Sequence, residues 1–248
     1  MRTLLSFFAA LFLAVGCMPA SSQNHQMMSL SSQDDALTIL SFNMRWWTRD
    51  RESDSPVYWK KRMAAMEKMI LDVDPDVICF QEYLAPAGSY VPSSYKRVGV
   101  TASHPIFIKR SLKASKHEVA VFWDRCVVDG INIFCVHTRW ENDLLLKAVG
   151  QINERLTGTD VACGDWNNGL GTMKNSGLKM ESAREQLGVD EIDTFANYKR
   201  PEQSHGAIDH FFVTGGVKAL SYSMITDGYG CSSMSDHYPI LLRVAKKP

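Results

Sequence analysis

Apolar positions along the chain gather into short runs separated by amphipathic stretches. Leu37 to Phe42, Asp76 to Phe80, Asp160 to Cys163, Ile208 to Val213 and Tyr238 to Val244 are largely apolar and of strand length. Val119 to Trp123 and Ile131 to Val136 predict two more strands. Their connection contains Asp129-Gly130, which suits a tight hairpin turn because glycine tolerates positive φ. Met63, Met66, Ile70 and Val73 recur at helical spacing and read as a core-facing stripe. Ser55-Pro56 ahead of them reads as a helix N-cap with proline at the first helical position. Leu144, Leu145, Ala148, Ile152 and Leu156 mark a second amphipathic helix. Strands and helices alternate without an internal repeat, which predicts one α/β domain over residues 37–248.

Polar residues punctuate the strand ends. Asn43, Glu82, His137 and Asp165 each follow a strand, whereas Asp209 and Asp236-His237 each stand where one begins. If the last two strands run opposite to the earlier ones, these side chains meet on one edge of the sheets. Converging carboxylates and imidazoles on rigid elements are what a metal-assisted site requires. A single aspartate at a strand end is more often a turn or capping residue; six such ends together argue for a site.

The N-terminus and the composition narrow the class. Met1-Arg2 followed by an apolar stretch from Leu4 to Val15 fits a signal peptide over residues 1–16, too short to span a membrane as a mature helix. Ala14-Val15-Gly16-Cys17 is similar to a bacterial lipobox. It predicts a lipid anchor on Cys17 in the periplasm or cell envelope, with plain secretion as the alternative. The polar stretch within residues 17–36 reads as a tether. Formal net charge is zero over 248 residues, so a long nucleic acid gripped by charge alone is not favoured as substrate. Cys79, Cys135 and Cys163 fall inside apolar runs and read as small buried hydrophobes. Cys126 and Cys231 remain open to pairing, and no cysteine spacing suggests zinc.

The segments Leu40-Ser41-Phe42-Asn43-Met44-Arg45, Asp76 to Glu82, Val136-His137, Gly164-Asp165-Trp166-Asn167, Ile208 to Val213 and Ser235-Asp236-His237-Tyr238-Pro239-Ile240 carry a resemblance. In that order they resemble the endonuclease/exonuclease/phosphatase superfamily, the deoxyribonuclease-like fold, over nearly the whole chain after the tether. The resemblance implies a four-layer α/β sandwich of two packed mixed sheets flanked by helices. It also implies hydrolysis of a phosphate ester with Mg²⁺, or Mn²⁺ in its place, since oxygen ligands suit a hard cation. It further implies a division of roles. Glu82 ligates the metal, Asn43 steadies it and Asp236 completes the shell. Asp165 activates the attacking water, and Asn167 binds a phosphate oxygen. His237, its ring fixed by Asp209, meets the phosphate, and His137 donates to the phosphate or the leaving oxygen.

Some residues beside these motifs have plainer readings. Trp166 reads as packing and His210 as a structural or rim residue. Trp59 and Arg62 read as helix packing plus a surface charge. Trp46, Trp47 and Trp140 are either cleft walls or buried rings, and His205 and Tyr229 are loop candidates for substrate contact. The chain departs from the family pattern in two places. The segment Val100 to Ile106 lacks the acid or amide that supports the imidazole at His137 in many relatives, with Glu118 the nearest acid downstream. The stretch from Glu82 to Val119 is short, which leaves no arm for duplex DNA. The expected protein is a monomeric phosphoesterase for small, lipid or sugar phosphates. A nuclease for DNA or RNA is the competing enzyme, and a binding protein on the same scaffold is the non-catalytic alternative.

Overall fold

The structure, a computed structural model, describes residues 36–49, 58–83, 91–99, 103–197, 206–226, 228–229 and 234–248. The signal segment, Cys17, almost all of the tether, Ser55-Pro56, His205 and Cys231 lie outside those residues.

Two mixed sheets of six strands pack face to face. The first is built from β1 (Ala36–Asn43), β2 (Val77–Gln81), β3 (Tyr95–Val98), β4 (Ile106–Lys109), β11 (Val217–Met224) and β12 (Ile240–Lys246), in the order β11-β12-β1-β2-β4-β3. The second holds β5 (Ala114–Val119), β6 (Trp123–Val128), β7 (Ile131–His137), β8 (Asp160–Asp165), β9 (Glu181–Ser182) and β10 (Asp209–Val213), in the order β5-β6-β7-β8-β10-β9. Helix α1 (Trp59–Val73) covers the outside of the first sheet. Helices α2 (Asn142–Asn153) and α3 (Leu170–Asn175) cover the second, and α4 (Ala183–Gln186) follows β9. This is the four-layer sandwich expected from the resemblance.

Strand alternation assigns each face. On β1, Leu37 and Ile39 enter the core between the sheets, whereas Leu40 and Phe42 pack under α1 with Met66, Met69 and Ile70. On β7 and β8, Ile133, Cys135, Val161 and Cys163 face inward, while Phe134, Val136 and Ala162 meet α2 through Leu145, Ala148 and Ile152. The four described cysteines, Cys79, Cys126, Cys135 and Cys163, are free and buried, so Cys126 is a core residue rather than a disulfide partner.

Several elements differ from the sequence reading. The strand expected at Val119 to Trp123 is the junction of β5 and β6; the real hairpin strand is Trp123–Val128, where charged Asp124 and Arg125 interrupt the apolar pattern. Its Asp129-Gly130 turn is as expected, with φ of 48° and 79°. Helix α1 begins at Trp59 with Tyr58 as N-cap. Strands β3, β5 and β11 escaped notice because edge strands bury one face or less, and Ala114–Val119 keeps mostly polar, exposed residues.

Directions follow the condition set by the sequence. β1 runs parallel to β2 and β7 parallel to β8, whereas β12 runs antiparallel to β1 and β10 antiparallel to β8. The ends of β1, β2, β7 and β8 and the beginnings of β10 and β12 therefore share one edge.

Candidate active site

The site is the continuation of the inter-sheet core at that edge. Asn43, His137, Asp165 and Asp209 have the same parity as the inward apolar residues Ile39, Cys135, Cys163 and Phe211 on their own strands. Register then sets them side by side: His137 is the partner of Asp165, and Asp165 the partner of Asp209, across β7, β8 and β10. A polar layer separates them from the oily core. There Gln81 Nε2 donates to Ser41 Oγ and to Cys135 Sγ, each at 3.4 Å.

β7 and β8 come unusually close beside the site. Gly164 has a φ of 149°, and a Cβ there would sit 1.8 Å from the Val136 carbonyl oxygen. Only glycine permits that approach, which brings His137 beside Asp165.

Asp165 is the hub. Its Oδ1 accepts from the Asn167 backbone N–H at 2.8 Å and its Oδ2 from Asn43 Nδ2 at 2.9 Å. The Nε2 atoms of His137 and His237 lie 3.7 and 3.8 Å from that same Oδ2. Burial raises the Asp165 carboxyl to about 7, against partial relief from His237 and the two hydrogen bonds. His237 moves the other way. Burial alone would lower it, but the Asp209 and Asp165 carboxylates raise it to about 10, so it is an imidazolium at neutral pH. Burial lowers His137 to about 4, which leaves it a neutral ring with an edge on the cleft.

His237 is held from behind. Its Nδ1 donates to Asp209 Oδ2 at 2.8 Å, and the Thr194 hydroxyl donates to the same oxygen at 2.7 Å. Thr194 Oγ1 also accepts from the backbone N–H groups of Ile208 and Asp209 at 3.1 and 3.0 Å. The Phe195 ring packs edge-on against His237 at 4.9 Å. Thr194→Val would orphan those two buried N–H groups and loosen the carboxylate that orients the ring. We expect a stability loss of about 1–3 kcal/mol in denaturant unfolding and a kcat roughly tenfold lower.

On the opposite side Glu82 accepts from the Trp46 N–H at 3.0 Å and lies 3.5 Å from Asn43 Nδ2. Asn43 turns its amine toward the two acids because its Oδ1 is taken by the Arg45 N–H at 3.0 Å. Asp236 pairs with Arg45 at 2.5 Å. Arg45, Glu82 and Asn167 all have left-handed backbones, with φ of 55°, 55° and 51°. Such conformations cost on the order of 1 kcal/mol each in non-glycine residues and cluster at functional sites.

Arg62 is not the surface charge expected from sequence. It is buried, and its Nη1 donates to the carbonyls of Met44 and Met234 at 2.7 and 2.8 Å. That guanidinium from α1 ties the turn carrying Asn43 and Arg45 to the segment carrying Asp236 and His237. Ser235 adds a second tie, donating to the Asn43 carbonyl at 2.7 Å. Arg62 and Thr194 were missed as site residues because they lie outside every motif and their partners come from distant segments, whereas Ser235 stands inside a motif but its partner, the Asn43 carbonyl, does not show in the sequence.

The remaining candidates separate cleanly. Trp46 and Trp140 line the cleft. Trp166 is fully buried against Phe212, and His210 bonds the Asn168 carbonyl at 3.0 Å, so both are structural. Tyr229 packs in the layer under α1 and is not a cleft residue. Glu118 pairs with Arg125 and Arg155, at 2.7 and 2.6 Å, and does not support His137. The segment that holds an acid in many relatives presents His104 instead, bonded to Ser103 and the Ala120 carbonyl.

The whole array opens on a cleft of about 650 Å³ lined by Glu82, His137, Asp165, Asn167, Asp236 and His237, among others. Asp165, Asp209 and His237 offer ligand atoms within 4.8 Å of one another, but Asp209 and His237 spend theirs on each other. Glu82 and Asp236 are the further carboxylates on the cleft, and hard oxygen donors of this kind fit a divalent cation such as Mg²⁺.

The profile of the Endonuclease/Exonuclease/phosphatase family matches residues 39–237, which spans every residue of this array. The chain belongs to that family. An endonuclease/exonuclease/phosphatase from Bacteroides vulgatus superposes with a TM-score of 0.71 at 18% identity, covering 86% of this chain and 99% of that one. A mannosyl-6-phosphatase of Bacteroides thetaiotaomicron gives 0.66 at 18% identity, over 84% and 99% of the two chains. D. rerio TDP2 complexed with a single-strand DNA product gives 0.64 at 18% identity, over 86% and 100%. No curated protein matches the sequence. At these identities the structural neighbours establish the family's fold, and phosphoester hydrolysis is the chemistry that the family shares.

Proposed function

We propose that this chain is an exported phosphoesterase that hydrolyses a small, lipid or sugar phosphate with a divalent cation. The observation that carries the reading is Asp165 Oδ2, which stands 3.7 and 3.8 Å from two imidazoles on a cleft shared with Glu82 and Asp236. Glu82 and Asp236 would hold the cation, with Asn43 steadying Glu82. When bound, the cation supplies positive charge to the phosphoryl oxygens.

The chain's own groups account for the rest. Asp165, raised by burial to about 7, is matched to take a proton from the attacking water near neutral pH. His237, an imidazolium locked by Asp209, offers its Nε2–H to charge developing on the phosphate. His137, neutral, donates a hydrogen bond to the phosphate or leaving oxygen. Asn167, whose Nδ2 is anchored on the Thr138 carbonyl at 3.0 Å, keeps a second amine proton for a phosphate oxygen.

Export and a lipid anchor on Cys17 rest on the first 17 residues of the sequence. Zero net charge argues against DNA or RNA as the substrate. The test is a panel with and without Mg²⁺, Mn²⁺ and chelator: a chromogenic phosphodiester, a phosphomonoester, sphingomyelin, sugar phosphates and plasmid DNA. We expect chelator-sensitive turnover on a small ester that exceeds any plasmid nicking. Silence on every member would overturn the catalytic reading, and salt-sensitive plasmid cleavage alone would transfer it to nucleic acid.

A further inference from the structure

The cleft lining also holds groups that the acid–imidazole array does not use. Arg49 and Arg139 both line it. Among the described residues, neither guanidinium has a hydrogen-bond acceptor, a carboxylate or an aromatic face as partner. Arg45, Arg125, Arg155 and Arg184, by contrast, pair with carboxylates. Trp140 stands beside Arg139 in sequence, lines the same cleft and leaves 70% of its surface exposed. An exposed indole and two guanidinium groups that have no partner among the described residues, lining one cleft, supply a stacking face and two anion donors.

We propose that Arg49, Arg139 and Trp140 form a second subsite that holds the alcohol part of the ester, and that this part is a small ring bearing an anionic group of its own. The proposal rests on phosphoester hydrolysis at Asp165 and deepens it by naming the substrate class. Glu82, Asp165 and Asp236 are the carboxylates on the cleft, and an anion beside them is tolerated only with a cation present. The two arginines carry permanent positive charge and match phosphate or carboxylate in bidentate geometry. The indole offers an apolar face to a sugar or a base. The volume of about 650 Å³ lies in the range of small-molecule sites and accommodates a doubly phosphorylated ring.

The test compares matched ligands on the full chain with Mg²⁺. Fructose 1,6-bisphosphate is set against fructose 6-phosphate, and adenosine 3′,5′-bisphosphate against adenosine 5′-monophosphate, so that the two arms separate a sugar from a nucleoside. In at least one arm kcat/KM should favour the doubly anionic ester by about tenfold or more, and R49Q/R139Q should bring that ratio close to one. A second readout needs no turnover. In chelator, quenching of tryptophan fluorescence by fructose 6-phosphate or adenosine 5′-monophosphate should report binding that the double variant weakens about tenfold and Trp140→Phe dims. Equal kcat/KM within both pairs, or a preference that survives in the double variant, would overturn the subsite, as would the absence of any arginine-dependent quenching. Arginine-dependent quenching without hydrolysis of any ester would support the subsite and overturn the hydrolytic reading instead.

Discussion

Asp165→Ala should lower kcat by at least about 10³-fold, with KM changed only a few-fold and the fold retained. Three effects combine in that loss. The group matched to accept the proton of water disappears; a single base is worth about 10²–10⁴-fold. The hydrogen bonds that fix Asn43 and Asn167 on either side of it, at 2.9 and 2.8 Å, go as well. His237 also loses one of the three carboxylates that keep it charged. The fold should survive because the hub lies at the rim of the inter-sheet core, whose packing comes from Ile39, Ile133, Val161 and their neighbours. Asp165→Asn, nearly isosteric, separates chemistry from packing: it should be as inactive as the alanine variant. Steady-state kinetics beside thermal unfolding reads both quantities, and wild-type-like turnover in either variant would remove Asp165 from the mechanism.

His237→Gln should cost about 10²–10³-fold in kcat/KM, since one preorganised donor to a developing oxyanion is worth that much. Its partner Asp209 makes a distinct prediction about pH. His237 is held at about 10 in the folded chain against 6.5 ordinarily, so the native state binds this proton more tightly than the unfolded one. The stabilisation is fully present below pH 6.5 and is lost as pH rises through about 10. Asp165, raised from 3.8 to about 7, acts with the same sign at lower pH, whereas His137, lowered to about 4, contributes stability that is lost as pH falls below 6.5. In chelator, the wild-type unfolding free energy should therefore decline between pH 7 and 10. Asp209→Asn removes the largest influence raising His237 and should flatten that decline. An unchanged slope in that variant would show that Asp209 does not hold the imidazolium.

Much of the site was legible because its residues carry local signatures. Asn43, Glu82, His137, Asp165, Asp209, Asp236 and His237 occur at strand ends inside short motifs, and the structure brings all seven to one edge and one cluster. Arg62 shows the other side. A lone arginine on an amphipathic helix reads as a surface charge, and only packing reveals that it is buried against two carbonyls from separate segments. Thr194 likewise sits in a stretch with no periodicity, yet it holds Asp209.

By itself the sequence determined the fold class, the two principal helices, the central strands and the order of the acids and imidazoles. Period and residue type are properties of neighbouring positions and need no third dimension. The tertiary structure alone decided which strand stands beside which, and hence that His137, Asp165 and Asp209 lie in register. It also decided the close approach at Gly164, the edge strands and the placing of Arg49 and Arg139 on the cleft. Those features depend on contacts between residues tens to hundreds of positions apart. Burial and pairing across such separations are set by the packing of whole sheets, which no local pattern of hydrophobicity encodes.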